Sequence, residues 1–236
     1  MFDSIVAFFQ KWGNTLYNTF IVGDRYMTLI EGFEKTIVIT IGALLIGVVI
    51  GTIVAMIKVF AMNNKKLKFL ETICNIYIGV IRGTPVVVQL LIAFFIIFVS
   101  AKDGTMVAII TFGINSGAYV AETIRSGIMA INVGQTEAGR SLGLSNLQTM
   151  WLIILPQAIK NMIPSIVNQF IITLKDTSIL SVIGFPELVN KAQNVIAITF
   201  KSFETWAIVA VMYLVVILTL QQVANILERR LSRGRK

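Results

Sequence analysis

Apolar residues in this chain come in long blocks rather than at alternating or helical spacing. Uncharged stretches at 37–57, 83–101, 104–121 and 205–227 hold 18 to 23 residues each, and about 20 helical residues cross a bilayer core. A fifth block, 161–186, is interrupted only by Lys175 and Asp176. The pattern predicts an all-α membrane protein with five transmembrane helices, at about 36–58, 67–99, 105–124, 158–183 and from 206 onward. The second prediction is too long for one straight crossing, and Arg82-Gly83-Thr84-Pro85 is where it breaks, because proline removes a backbone donor and clashes with the preceding turn. Gly47 and Gly51 form a small-xxx-small pair that admits a close neighbour. Before the first block, Phe8, Phe9, Trp12, Leu16, Tyr17 and Phe20 alternate with polar residues, as in an interfacial amphipathic helix. Trp206 and Tyr213 suit an anchor at the outer interface. The chain divides into an amphipathic segment (1–30), a five-helix transmembrane domain (31–231) and a basic tail (232–236).

Charge orients these blocks. Of 236 residues 14% are charged and 56% apolar, against about 25% charged in soluble proteins. The net charge of +8 is not spread as a nucleic-acid surface would be. Lys58, Lys65, Lys66 and Lys68 follow the first span, and Arg229, Arg230, Arg233, Arg235 and Lys236 close the chain. Acids gather at Asp3, Asp24, Glu31 and Glu34, at Asp103, and at Glu187 and Glu204. Basic residues are retained on the cytoplasmic side. Five spans with the N-terminus outside place both clusters inside, together with the loop between the third and fourth helices (about 131–157). Residues 1–20 lack the basic start and cleavage site of a signal peptide. One cysteine, Cys74, allows no internal disulfide. With no histidine, the residues point to no metal site. They offer neither a nucleotide-cradling Gly-x-x-x-x-Gly-Lys-[Ser/Thr] motif nor a nucleophile–base pair, which argues against an enzyme. Nucleic acid is not an expected partner; membrane lipid is.

The 131–157 loop carries the most specific motif. Glu137-Ala138-Gly139, three residues, Gly143, nine residues, then Ile153-Ile154-Leu155-Pro156 resembles the EAA loop of bacterial ABC importer permeases, with Gly139 where a second alanine is expected. Ile81-Arg82-Gly83-Thr84-Pro85 with Gln89, Asn115 to Arg125, Pro156 to Asn161 and Leu174 to Ser178 resemble the permease subunits of polar amino acid importers. The resemblance implies a bacterial inner-membrane, multi-pass protein that pairs with a second permease subunit, docks cytoplasmic ATPase subunits, and receives solute from an extracytoplasmic binding protein. ATP and Mg would sit on the ATPase, with no cofactor on this chain. Glu137, Ala138, Gly139, Gly143 and Pro156 are the docking positions it implies, with Gly143 where a coupling helix turns into the partner's cleft. Leu142, Leu144, Leu147 and Trp151 offer an apolar face for a groove on another protein, or for the chain's own bundle. Pro156 is expected to begin the fourth helix.

Polar residues inside spans are the candidates for a solute path. Asn161, Ser165, Gln169, Thr173 and Asp176 recur at helical spacing, with Asn168 beside them, and the third span adds Asn115, Ser116 and Tyr119. The same residue types also serve as interhelical glue, at about 0.6 kcal/mol each. Some relatives for basic amino acids carry an acid where Gln169 stands, so its neutral amide implies a neutral polar solute such as glutamine. Lys175 and Asp176 read as an outer gate or as the membrane boundary. The alternative function, an ATP-independent secondary transporter, needs intramembrane acids and usually repeats. Asp176 is the one acid this reading finds near mid-chain. A scaffold subunit that does not conduct would leave the polar stripe without a purpose.

Overall fold

The computed structural model describes residues 2–62 and 64–232, and every regular element among them is helical. Helix α1 (Phe2–Leu16) runs through a π-helical turn (Tyr17–Ile21) towards α2 (Arg25–Ala61). A short 3-10 turn leads into α3 (Lys68–Gly83), which breaks before α4 (Val86–Ile92) and its π-helical extension (Ala93–Ile97). There follow α5 (Gly104–Met129), α6 (Val133–Ser141), α7 (Asn146–Thr149), α8 (Leu155–Asp176), α9 (Leu188–Thr199) and α10 (Ser202–Ser232). Four helical stretches are long and apolar enough to cross a membrane, and the α3–α4 pair, bent by 105°, makes a fifth if it counts as one span. Arg233, Arg235 and Lys236 of the basic tail lie outside the described residues.

Several boundaries differ from those expected, each for a local reason. α2 starts at Arg25, well before its apolar block, because Arg25, Glu31, Glu34 and Lys35 are compatible with a helix that outruns the block. The fourth span also starts early. Pro156 stands in the first turn of α8, as expected, but helical winding already begins at Asn146, passes through a π-helical turn (Met150–Ile154) and reaches Ile183. In that turn the Leu155 N–H bonds to the Met150 carbonyl, five residues back, and this wider winding accommodates a proline that has no N–H to donate. α5 continues to Met129 and carries Glu122, so Asp176 is not the only acid within a span.

The chain divides into two compact units. One joins Met1–Val38 with Lys175–Val216, the other Ile39–Leu174 with Ile217–Lys236. In the first, Phe20 and Leu29 pack with Leu188, Ala192, Val195 and Val209. Thr36 donates to the Gly32 carbonyl and accepts from the Leu188 N–H at 3.3 Å, tying α2 to the start of α9. Tyr213 is not an interfacial anchor: its buried hydroxyl faces Thr36 and Thr177. Burying a phenol is tolerable here because hydroxyls surround it.

The second unit is organised around α2 and α5. A Cβ on Gly47 would run into Ser116, and one on Gly51 would lie 2.7 Å from Val120. Reciprocally, Gly113 faces Ile46 and Gly117 faces Ile50 and the Tyr77 hydroxyl. Two small-xxx-small pairs therefore interlock, which is how helices approach closely without a hydrophobic driving force in lipid. Ala55 and Val59 pack with Val120, Ile124 and Ile128 of α5 and with Ile154, Ala158 and Met162. Cys74 and Ile78 bring α3 against Val54, Ala118 and Ala121.

Candidate functional site

The motif segment folds as two short helices joined by a tight turn. Asn132 caps α6, its Oδ1 accepting from the Gly134 N–H at 2.8 Å. At the other end the Leu144 N–H reaches the Gly139 carbonyl and the Leu142 N–H the Ala138 carbonyl, both at 3.1 Å. Gly143 lies between with φ +82°. This closes a helix with a left-handed residue, which glycine adopts without steric cost. Ser145 then starts α7 with a capping box: its Oγ accepts from the Gln148 N–H while the Gln148 Oε1 accepts from the Ser145 N–H.

Gly139 is buried where α6 crosses the π-helical turn. A Cβ there would stand 2.8 Å from Thr149 Cγ2 and 3.0 Å from Ile153 Cδ1, so glycine sets how closely the two segments approach. Around the turn, Leu142 is 79% and Trp151 53% exposed. Leu147 and Leu152 are exposed as well, Leu144 is half-buried, and Glu137, Ala138, Arg140 and Pro156 are at the surface. The face is apolar, outward and held in shape by its caps.

A second construction surrounds the break between α3 and α4. In an uninterrupted helix the N–H of residue 85 would bond to the Ile81 carbonyl, and Pro85 has none. Gln89 replaces it: the two N–H groups of its Nε2 are shared among the Ile81 carbonyl at 2.8 Å, Thr84 Oγ1 at 2.9 Å and the Thr84 carbonyl at 3.1 Å. Asn115 Nδ2 in turn donates to Gln89 Oε1 at 2.9 Å, and the Tyr77 hydroxyl donates to the Ile114 carbonyl at 2.6 Å. The Arg82 guanidinium lies 5.3 Å from the centre of the Tyr119 ring. The bend is thereby fastened to α5 at three places. Nearby, Glu122 accepts from Lys58 at 2.9 Å and from Arg125 at 3.2 Å, joining α2 and α5 through a charged group.

The polar residues expected along a path separate into two groups. Asn115, Ser116, Gln169 and Thr173 are buried. Ser116 Oγ donates to the Ala43 carbonyl at 3.2 Å, and Gln169 Nε2 reaches Thr173 Oγ1 at 3.5 Å. Ser165, Asn168 and Tyr119 are exposed. Lys175 is exposed and Asp176 half-buried at the end of α8; among the described residues neither makes an ion pair. Sequence reasoning passed over Gln89 and Glu122 as functional positions. The signals were present: a glutamine four residues after a mid-span proline, and an acid eight residues before the 130–132 turn with a lysine at the matching depth of α2.

An apolar multi-helix chain with a capped, outward-facing motif segment has the build of a transport subunit, and comparison with known proteins agrees. The chain belongs to the family of binding-protein-dependent transport system inner membrane components, whose model matches residues 47–233. It is thus a multi-pass inner-membrane protein. It is 40% identical over 211 residues to the glutamine transport system permease protein GlnP of Escherichia coli (strain K12), covering 86% of this chain and 93% of that one. It is 33% identical over 234 residues to a putative GlnP of Rickettsia felis, covering 98% and 99%. A crystal structure of an amino acid ABC transporter with histidines superposes with a TM-score of 0.80 at 39% identity, over 89% of this chain and 98% of that one. An inward-facing MetNI methionine ABC transporter shares the fold at 18% identity, with a TM-score of 0.73.

Proposed function

We propose that this chain is the membrane-spanning permease of an ATP-driven importer for polar amino acids, glutamine foremost. The observation that carries this reading is the exposed, doubly capped segment 132–152, a rigid apolar lever suited to an ATPase subunit, in a chain that resembles glutamine permeases over most of its length. In this reading the N-terminus faces outside and the lever faces the cytoplasm. α1 lies in the outer interface. ATP and Mg act on the partner ATPases, and a binding protein delivers solute at the outer surface near 175–204. Two copies, or this chain and a close relative, form the pathway. Closure of the ATPases moves the lever, and the bundle turns between inward- and outward-open states, with nucleotide favouring one of them. Ser165 and Asn168 are the α8 side chains placed to meet solute, and Lys175–Asp176 forms an outer gate element.

The test is ATP-driven uptake of a labelled amino-acid panel into proteoliposomes holding this chain, its ATPase and its binding protein, with a Gly143→Asp variant beside it. Glutamine uptake that exceeds arginine and lysine uptake, and that the variant loses together with stimulated ATP hydrolysis, is the expected result. A strong preference for arginine or lysine would remove the solute assignment. Uptake that needs no ATP and ignores Gly143→Asp would favour a secondary transporter instead.

A further inference from the structure

The turn between α2 and α3 carries three lysines that the chain itself does not use. Lys65, Lys66 and Lys68 are exposed, and among the described residues none of them makes an ion pair. Glu71, in the first turn of α3, pairs with none of them. The turn has a fixed shape: Asn64 Oδ1 accepts from the Lys66 N–H at 3.0 Å, and the Leu67 N–H reaches the Asn64 carbonyl at 3.0 Å.

Beside these lysines lies a groove of about 450 Å³, within the range of ligand sites, roughly 300–1,000 Å³. Val59, Phe60, Asn64 and Leu67 form one side of it, and Asn146, Leu147 and Met150 the other. The walls are apolar apart from the two asparagines. Leu142, Gly143 and Trp151 do not line it, so the groove is separate from the outward tip of the lever. A smaller cavity of about 210 Å³ shares Val59, Asn146 and Met150 with it, which leaves α7 loosely packed on two sides.

The helices at its edges give its depth. α2 is long and apolar enough to cross a membrane and ends at Ala61, next to Phe60. Directly after the lysines, α3 exposes Phe69, Ile73, Ile76 and Val80, an apolar stripe at helical spacing that suits hydrocarbon. The groove therefore sits where hydrocarbon gives way to headgroups. In the orientation proposed above this is the cytoplasmic leaflet, whose surface carries anionic lipid.

We propose that this groove binds an anionic phospholipid, with an acyl chain between Phe60, Leu67 and Leu147 and the phosphate on Lys65, Lys66 and Lys68. Apolar walls with a cationic edge match a molecule that carries both hydrocarbon and negative charge. A soluble anion leaves the walls wet, and a neutral lipid leaves the lysines unmatched. Each lysine near the surface adds its own increment of attraction, so three on one turn discriminate strongly. The site rests on the membrane-spanning fold and on no assumption about solute or ATP. A lipid seated there ties the α2–α3 turn to α7 and braces one wall of the lever.

The test uses the full-length chain in detergent, with bound lipids counted by native mass spectrometry as phosphatidylglycerol or phosphatidylcholine is titrated in. The unaltered chain is expected to take up phosphatidylglycerol at about 10- to 100-fold lower concentration than phosphatidylcholine. Joint replacement by Lys65→Gln, Lys66→Gln and Lys68→Gln should remove that preference, and the three matching arginine replacements should keep it. Joint replacement of Lys11, Lys102 and Lys160 by glutamine removes the same charge elsewhere and should leave it unchanged. Asn146→Trp, which fills the groove from an exposed position with the lysines intact, should weaken phosphatidylglycerol binding as well. Equal uptake of the two lipids by the unaltered chain overturns the proposal, as does a preference that survives the three glutamines or Asn146→Trp. Glycerol phosphate has the charge without the chains and should not displace the lipid; displacement overturns the proposal in favour of a plain anion patch. Exclusion of phosphatidylglycerol by added ATPase subunit also overturns it and assigns the groove to that protein.

Discussion

At the scale of single residues, hydrogen-bond accounting explains more of this molecule than charge does. Gln89 supplies the donor that Pro85 cannot, and Asn115 orients the Gln89 amide from the next helix. Gln89→Leu removes the donor of the part-buried Ile81 carbonyl and the acceptor of Asn115 together, whereas Asn115→Ala removes one interhelical polar bond, which in a membrane averages about 0.6 kcal/mol. Gln89→Leu is therefore expected to destabilise the protein more than Asn115→Ala, by a margin that a detergent unfolding titration resolves; equal effects would remove Gln89 from its role at the break. Glu187 poses the converse problem. It is fully buried at the start of α9, where it accepts from the Val189 and Asn190 N–H groups at 2.8 Å. Burial pushes its carboxyl up to about 7, against the pull of those two backbone donors. The folded chain thus holds a proton between about pH 4.5 and 7 that the unfolded chain has released. Its stabilising contribution is complete below the lower value and lost as pH rises through the upper one. The melting temperature is expected to fall between pH 5 and pH 8, and Glu187→Gln, which keeps an acceptor for the cap, should flatten that slope.

At the scale of elements, small residues set distances. The interlocked glycines of α2 and α5 bring two backbones together, and Gly139 does the same for α6 and the π-helical turn. Reading Gly139 as a departure from an alanine pattern suggests a loss of about 1 kcal/mol in helix propensity. Its neighbours reverse that expectation, since an added methyl meets Thr149 Cγ2 at 2.8 Å. Gly139→Ala alone should give no gain in stability. Thr149→Ser removes the nearest of the obstructing atoms but leaves Ile153 Cδ1 and Thr149 Oγ1 at 3.0 Å, so the double change should recover only part of the about 1 kcal/mol that alanine gains in helix propensity. Simple additivity of the two changes in a melting series would show that the contact does not matter.

For the whole molecule, the orientation of the crossings determines what each surface can meet. The proposed orientation, with the N-terminus outside, predicts that Gly143 meets the cytoplasm and Ile198 the outside. In a Cys74→Ala background, a cysteine at 143 is expected to react with an impermeant maleimide only in inverted vesicles, and one at 198 only in intact cells stripped of their outer barrier. Reaction of a cysteine at 143 in intact cells would reverse the assignment of the lever, and reaction of both from one side would mean an even number of crossings between them.

The block lengths, the basic clusters and the spacing from Glu137 to Pro156 were legible in the sequence because each depends on composition or on near neighbours. The all-helical class, the break at Arg82 to Pro85 and the Gly143 turn follow from such local information, while the expected five spans are four long helices and one bent pair. Membership in the importer family does too, since the motif is contiguous. Only the tertiary structure decided what the polar residues of the spans do. Ser116 bonds to a carbonyl on α2, Asn115 to a glutamine on α4, and Gln169 to its own helix, while Ser165 and Asn168 stay open. Hydrophobic periodicity places such residues on a face, but a hydrogen bond is made by whatever lies within about 3 Å, and those partners come from distant parts of the chain.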